Sequence, residues 1–258
     1  MFGRARRRSL ALPVGIAFAI ACLASPASAS AAVDSSWVRF GTSAEGRAIM
    51  VERRCEPQAI HDVLVVGVIH GNETAGLPIV RRLARSAVPP RTCYWLLEAL
   101  NPDGRARGTR QNARGVDLNR NFPIGWRAGG RAFDTYFSGP ALASEPETRA
   151  AMAIVRMIGP DVTIWYHQHM DAVLAPSAAW RRALARTYSR VSTLPMRVYA
   201  GPPVYGSAIQ WQHAEQPNSI GIVVELPAGR LPTPLVVRHA EAVRSIAIAA
   251  TLDAVDVR

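Results

Sequence analysis

Nearly uninterrupted apolar runs are the feature of this sequence that most constrains its fold. The clearest run is VLVVGVI at residues 63–69. A strand with one face in water alternates apolar and polar residues, whereas a strand that is apolar throughout is covered on both faces. Such strands are typical of α/β proteins. With 258 residues, 49% of them hydrophobic, the chain is long enough for one sheet with helices on both sides.

Predicted strands and helices alternate along the chain, which also favours an α/β fold. Segments rich in Val, Ile, Leu, Tyr and Trp predict strands at residues 47–54, 62–69, 93–99, 161–167, 196–200 and 219–225. Helical spacing predicts helices at residues 74–86, 145–158, 178–191, 207–214 and 235–254. Residues 100–143 are predicted to form a loop, and so long a loop inside a compact domain usually has a function.

The first 29 residues have the composition of a secretory signal. MFGRARRRSL carries four arginines and no acid, the apolar run ALPVGIAFAIACLA follows, and the small residues ASA precede a predicted cleavage after Ala29. The apolar run is too short to span a bilayer. We therefore expect no stable membrane anchor after cleavage, and a secreted protein that is extracellular or associated with the cell wall.

Charge says little about the partner of this chain. Cleavage would remove Arg4, Arg6, Arg7 and Arg8 and no acid, so the net charge would fall from +11 to +7. A basic net charge would favour binding to an anionic cell wall, but it could equally serve only to keep the protein soluble. Nucleic acid is not an expected partner, because no basic run or matching motif follows the signal.

Two cysteines remain after the signal, Cys55 and Cys93, and each lies at the end of a predicted strand. In an oxidising compartment we expect a disulfide between them. The alternative is two unpaired, buried thiols.

Chemically reactive side chains follow several of the predicted strands. His70 and Glu73 come directly after the run at 63–69. In α/β sheets, ligands bind beyond the carboxyl ends of the strands. A turn at Gly71 would bring the imidazole and the carboxylate to one ion, and a catalytic zinc takes three such protein ligands and a water.

A third ligand is expected from the strand ending in WYHQHMD. His167 and His169 both follow its apolar part, and period-two alternation places both on one side. We favour His167, because it is closer to the apolar run. Glu225 follows the run at 219–224 in the same way. A carboxylate partly buried at that edge is suited to act as a general base.

Several motifs together resemble one enzyme family. These are FGTSAEGRAI, GVIHGNETAG, NPDGRARGTRQNARGVDLNRNFP, a histidine at a strand end and ELP at another. They resemble the zinc metallocarboxypeptidases of the carboxypeptidase A type, and among them the short bacterial forms similar to murein peptide amidases. The resemblance covers residues 37–250. It implies a catalytic domain over residues 35–256, with a single-domain, mixed, mostly parallel β-sheet flanked by helices on both faces, and one Zn²⁺ per chain.

The resemblance also implies a role for individual residues. The implied zinc ligands are His70, Glu73 and His167. Arg110 is similar to the arginine that polarises the scissile carbonyl, and Glu225 to the catalytic glutamate. The substrate-binding residues implied are Asn119 and Arg120, which would hold a free carboxylate, and Tyr205, with Tyr199 as an alternative. The segment from Gly206 to Trp211, where the family selects side chains, contains no acid that would favour a basic substrate.

The expected function is therefore the hydrolysis of a peptide bond near a free carboxylate, with metal-activated water. The substrate would be the end of an ordinary peptide or a peptidoglycan stem peptide. Two alternatives stay open. The related N-acyl amino acid hydrolases of the aspartoacylase type share an HGNE start and a DLNR element, and an inactive peptide- or wall-binding module would keep the same fold.

Overall fold

The structure is a computed structural model that describes residues 33–175, 178–198 and 204–253. The predicted signal at residues 1–29 lies outside the described residues. Among the described helices, none combines the length and the apolar composition needed to cross a membrane.

Eight strands of the described chain form one mixed sheet. They are β1 (Asp34–Thr42), β2 (Ala48–Cys55), β3 (His61–Val66), β4 (Thr92–Leu97), β5 (Val162–Gln168), β6 (Ala172–Ala175), β7 (Met196–Val198) and β8 (Ile220–Leu226). Their order in the sheet is β1-β2-β4-β3-β5-β8-β6-β7. The four central strands β4, β3, β5 and β8 are mutually parallel, while β1, β2 and β6 pair antiparallel with neighbours.

Helices cover both faces of this sheet, as the apolar runs predict. They are α1 (Gly76–Leu83), α2 (Pro102–Arg107), α3 (Pro146–Ile158), α4 (Arg182–Ser192), α5 (Ala208–Glu215) and α6 (Thr233–Asp253). Helices α1, α4 and α6 pack with Val63 and Val65 in one core. Helices α3 and α5 pack with Leu64 and Val66 in the other. Successive residues of β3 point to opposite cores, so all four residues from Val63 to Val66 are apolar. The predicted fold class is confirmed.

The structure differs from the predicted elements where burial is one-sided or an element is short. The edge strand β1 is mostly exposed, so it lacks the apolar run by which the other strands are recognised. Strand β6 has only four residues. The predicted loop at 100–143 contains α2 and a 3-10 helix at Leu118–Arg120. Both are too short to show a helical repeat in the sequence.

The predicted disulfide is present. Cys55 and Cys93 are register partners on the antiparallel strands β2 and β4, and both are buried. The bond closes a segment of 38 residues.

Removing this bridge tests its contribution to stability. In the chain-entropy model a loop of that length is worth about 4 kcal/mol. We expect the Cys55→Ala/Cys93→Ala variant to lose about that much free energy of unfolding in urea titration, and reductant to destabilise the wild type similarly. A loss of under about 1 kcal/mol in both would show that the bridge contributes little.

A chain of buried hydrogen bonds ties the sheet to two helices. The hydroxyls of Tyr166 and Tyr188 lie 2.9 Å apart, and the Tyr188 hydroxyl lies 2.9 Å from Nδ1 of His239. His239 is 1% exposed. Burial, with a contribution from Arg238, lowers the pKa of His239 to about 4.

This lowered pKa predicts acid sensitivity. In the unfolded chain His239 takes up a proton near pH 6.5, but in the folded chain only near pH 4, so stability is lost as pH falls through this window. We expect His239 to account for about 3 kcal/mol of the stability lost between pH 7 and pH 4. Urea titrations at both pH values should show a smaller pH-dependent loss for His239→Gln. Equal losses in the two proteins would contradict the assignment.

Candidate active site

The carboxyl ends of three parallel strands bring the predicted site residues to one edge of the sheet. His167 on β5 and Glu225 on β8 are register partners, so their side chains lie on the same face. His70 follows β3 by four residues, and β3 lies next to β5. This convergence is the reason that residues distant in sequence meet.

His70, Glu73 and His167 form a buried cluster. Their ligand atoms all lie within 4.8 Å of one another. Nδ1 of His70 lies 2.9 Å from Oε1 of Glu73, and Nδ1 of His167 lies 3.1 Å from Oε2. The two Nδ1 atoms are 3.2 Å apart. Burial opposes ionisation of Glu73, but hydrogen bonds with His167 and His70 lower its pKa below the usual range.

A buried carboxylate sets the orientation of His70. Nε2 of His70 lies 3.0 Å from Oδ1 of Asp117, which is 0% exposed. Burial alone would raise the pKa of Asp117, but the charge and hydrogen bond of His70, with Arg110 and Arg120, lower it to about 2. An ionised Asp117 accepts the Nε2 proton, so that a cation which displaces the Nδ1 proton would meet the Nδ1 lone pair facing the cluster. Metal-binding histidines are commonly held in this way.

These residues fit a divalent cation. Two imidazole nitrogens and two carboxylate oxygens converge, close enough for one cation to take the place of the protons between them. Two histidines and one glutamate are a usual donor set for catalytic zinc. His169, the other candidate, is exposed after the end of β5, and it is not part of the cluster.

Close backbone packing holds the loop that carries His70 and Glu73. The Gly71 N–H donates to the carbonyl of Arg110 at 3.2 Å. A Cβ atom on Gly71 would lie 2.0 Å from the backbone carbon of Gly104 in α2. The glycine therefore allows two backbones to touch, and does not serve a left-handed turn.

Arg110 lies beside the cluster in a fixed orientation. Its Nε and Nη2 donate to Oδ2 of Asp117 at 3.1 and 3.0 Å, and its Nη1 donates to Oε1 of Glu73 at 3.0 Å. The guanidinium is thus held by two carboxylates, and a planar group held in this way is preorganised to receive a developing negative charge.

Asn119 and Arg120 occupy the 3-10 helix Leu118–Arg120, which Asp117 caps by accepting from the Asn119 N–H at 2.9 Å. Oδ1 of Asn119 accepts from the N–H of Ala208, the first residue of α5, at 2.9 Å. Nη1 of Arg120 donates to the carbonyl of Asn119 at 2.8 Å. Both side chains line the same cavity as the cluster.

Glu225 also lines this cavity, on the wall formed by β8. It is partly buried, and its Oε2 has no hydrogen-bond partner among the described residues. Burial raises the pKa of Glu225 above its usual range, and Glu73 adds to the increase while His167 opposes it. A carboxylate with a free oxygen and a raised pKa is suited to take and return a proton.

Seven of the eight predicted site residues line one cavity of about 530 Å³. They are His70, Glu73, Arg110, Asn119, Arg120, His167 and Glu225. Tyr205 does not line it. Its ring lies under the guanidinium of Arg127, 3.6 Å from ring centre to Cζ. The alternative, Tyr199, lies outside the described residues.

Tyr136 lines the cavity instead, although no motif or spacing in the sequence predicts it. Its exposed ring lies 4.9 Å from Cζ of Arg120 and 5.7 Å from Cζ of Arg110. It belongs to a long irregular segment in which no spacing indicates which side chain points inward. Asp117 was missed as well, although it stands two residues before Asn119 in the DLNRN motif.

A family profile described as zinc carboxypeptidase matches residues 34–218. The chain belongs to this family. Murein peptide amidase A of Escherichia coli K12 is 27% identical over 159 residues, which are 57% of this chain and 64% of that protein. The match thus spans less than two thirds of this relative's length.

Solved structures of the family share the fold. The murein-tripeptide amidase of E. coli O157 superposes with a TM-score of 0.66 at 24% identity, over 85% of this chain and 96% of that chain. Carboxypeptidase A from Helicoverpa armigera superposes with a TM-score of 0.72 at 20% identity. The superposition covers 84% of this chain and 69% of that chain.

The role of Asp117 is testable by metal binding. Asp117→Asn removes the charge that orients His70, so we expect the affinity for Zn²⁺ to fall by about 10- to 100-fold in chelator competition. Asp34→Asn, at an exposed position of the edge strand β1, should bind as the wild type does. Unchanged affinity in Asp117→Asn would show that His70 is oriented without Asp117.

Proposed function

We propose that this chain is an exported, zinc-dependent peptidase that hydrolyses a peptide bond near a free carboxylate. The observation that carries the proposal is one cavity that contains a His-Glu-His cluster, the side chains of Arg110 and Arg120, and Glu225, whose Oε2 has no hydrogen-bond partner among the described residues. Each part matches one requirement of the reaction.

His70, Glu73 and His167 would hold the zinc ion. When bound, Zn²⁺ supplies a Lewis acid that polarises a carbonyl and lowers the pKa of water. Glu225 faces His167 across the β5–β8 pair, and its free oxygen takes a proton from the attacking water. The same carboxyl then returns the proton to the leaving amine, which a raised pKa favours.

Arg110 provides positive charge where the carbonyl oxygen becomes negative. Because Asp117 and Glu73 fix its orientation before substrate binds, little reorganisation is needed as the charge develops. Arg120 and Asn119 lie further along the wall, where a guanidinium and an amide can hold the free carboxylate of the substrate. The Tyr136 ring lies within cation–π distance of both arginines at this part of the cavity.

We propose that the substrate is a peptidoglycan stem peptide. Two observations support this over an ordinary protein substrate. Two murein amidases are similar to this chain, one at 27% sequence identity and one in fold. The N-terminal signal pattern would export the protein, and a basic net charge suits an anionic cell wall.

The proton-transfer role of Glu225 predicts a large kinetic effect. Zinc-loaded Glu225→Gln should lose about 10²- to 10⁴-fold in kcat on a peptide substrate, because the amide cannot accept the proton. Its zinc content should stay at one ion per chain, since Glu225 is not in the ligand cluster. Glu241→Gln, on the surface of α6, is the matched control. Wild-type rates for Glu225→Gln at full zinc occupancy would contradict the mechanism.

Products identify the substrate class. The zinc-loaded protein without its signal is incubated with stem peptides, with a C-terminal peptide library and with an N-acyl amino acid, and the products are read by mass. We expect stem peptides to be cleaved fastest. Preferred turnover of the N-acyl amino acid would favour the aspartoacylase-type reading, and no hydrolysis of any of them would favour a binding module.

A further inference from the structure

The cavity continues from Glu225 along the face of β8. Residues 225, 223 and 221 point to this face in turn, and Glu225, Val223 and Gly221 all line the cavity. Because a strand rises about 3.3 Å per residue, the wall at residue 221 lies about 13 Å along β8 from Glu225. A Cβ atom on Gly221 would lie 2.2 Å from Cδ1 of Ile209, so the glycine lets this side chain of α5 pack directly against β8.

The far end of the cavity carries a cation that has no counter-ion within the described part of the chain. Arg181 lines the cavity. Its Nε donates to the carbonyl of Ser219 at 3.1 Å, and its Nη2 donates to the carbonyl of Pro217. No carboxylate of the described residues lies within ion-pair distance of Arg181, and Nη1 has no acceptor among them. These two carbonyls hold the guanidinium at the start of β8 without neutralising it.

His213 stands beside Arg181 but does not add a second charge at neutral pH. Its Nε2 accepts from the Gly221 N–H at 3.2 Å, so its proton is on Nδ1. Burial, reinforced by the charge of Arg181, lowers the pKa of His213 to about 4. Desolvation likewise lowers the pKa of Arg181, which at neutral pH still carries its charge.

Leu174, Ile209 and Val223 give the cavity wall between the cluster and Arg181 apolar surface, and Gln210 and Ser207 add uncharged polar groups to the lining. Glu73 and Glu225 are the acids of the cavity wall, and both lie at the opposite end. The pocket thus has an apolar middle and a positive terminus. An aliphatic side chain that ends in a carboxylate is complementary to it in both respects.

We infer that this pocket selects an acidic side chain on the residue whose free carboxylate Arg120 and Asn119 hold, and that Arg181 is the specificity-determining residue. The inference rests on the proposed function and narrows its substrate class. A basic side chain would meet a like charge, and a neutral one would desolvate Arg181 without replacing the lost hydration.

Binding measurements test this separately from catalysis. The zinc-loaded Glu225→Gln protein, in which turnover is suppressed, is titrated calorimetrically with N-acetyl-Ala-Glu and with N-acetyl-Ala-Gln, which have nearly the same shape. We expect the acid to bind at least about tenfold more tightly. Adding Arg181→Gln should bring the two affinities within about twofold, while Arg186→Gln, at an exposed position one turn along α4, should keep the full preference.

Arg181→Lys covers the case in which Arg181→Gln does not fold. The lysine keeps the positive charge but cannot donate to both carbonyls as the guanidinium does. We expect this variant to retain part of the preference for N-acetyl-Ala-Glu over N-acetyl-Ala-Gln. Equal affinities for the two ligands in the parent protein, or a preference that survives loss of the charge in Arg181→Gln, would overturn the inference.

The proposed function can fail independently. If the wild type hydrolyses neither peptide, nor any stem peptide, the peptidase assignment is wrong, while the affinity ratio still decides what the pocket selects. If it hydrolyses the Gln peptide as fast as the Glu peptide, the peptidase assignment stands and the acidic selectivity is wrong.

Discussion

The side chain of Asp117 makes the contacts on which the arrangement of the candidate site depends. Its two oxygens accept from Nε2 of His70, from Nε and Nη2 of Arg110, and from the backbone N–H of Asn119. A fully buried carboxylate is expensive unless cations and donors surround it, and here each donor belongs to a different part of the site. One residue therefore fixes the imidazole of His70, the guanidinium of Arg110 and the start of the 3-10 helix Leu118–Arg120 relative to one another.

The framework around Asp117 follows from how the sheet is buried. Consecutive residues of β3 pack alternately into two different hydrophobic cores, which is why the run at 63–69 is apolar. The fold class could be predicted from that run for the same reason. Edge strands have no such requirement. Strand β1 is mostly exposed and antiparallel, so its sequence, DSSWVRFGT, carries mixed polarity and gives no comparable signal. Burial on both sides thus makes the central strands predictable, whereas the edge strand β7 is predicted at 196–200 from its composition alone.

The same reasoning separates the site residues that the sequence could predict from those that it could not. His70, His167 and Glu225 stand where apolar runs end, and parallel strands bring those ends together, so their convergence follows from the topology. Tyr136 and Arg181 lie outside any regular strand, in the long loop and in a 3-10 turn before α4. Their positions depend on contacts with segments far away in sequence, such as the carbonyls of Pro217 and Ser219, which no local pattern encodes.

The distribution of charge along the cavity also has a consequence for the chemistry. Glu225 needs to remain free of strong cationic partners, because an ion pair would lower its pKa and weaken it as a base. Arg120 and Arg181 are positioned along the wall and at its far end, where they attract carboxylates of a substrate without pairing with Glu225. A substrate with acidic groups on its terminal residue would therefore be drawn past the cluster with its carboxylates pointing away from Glu73 and Glu225. Its orientation would follow from the electrostatics of the cavity before any close contact with the reacting atoms is made.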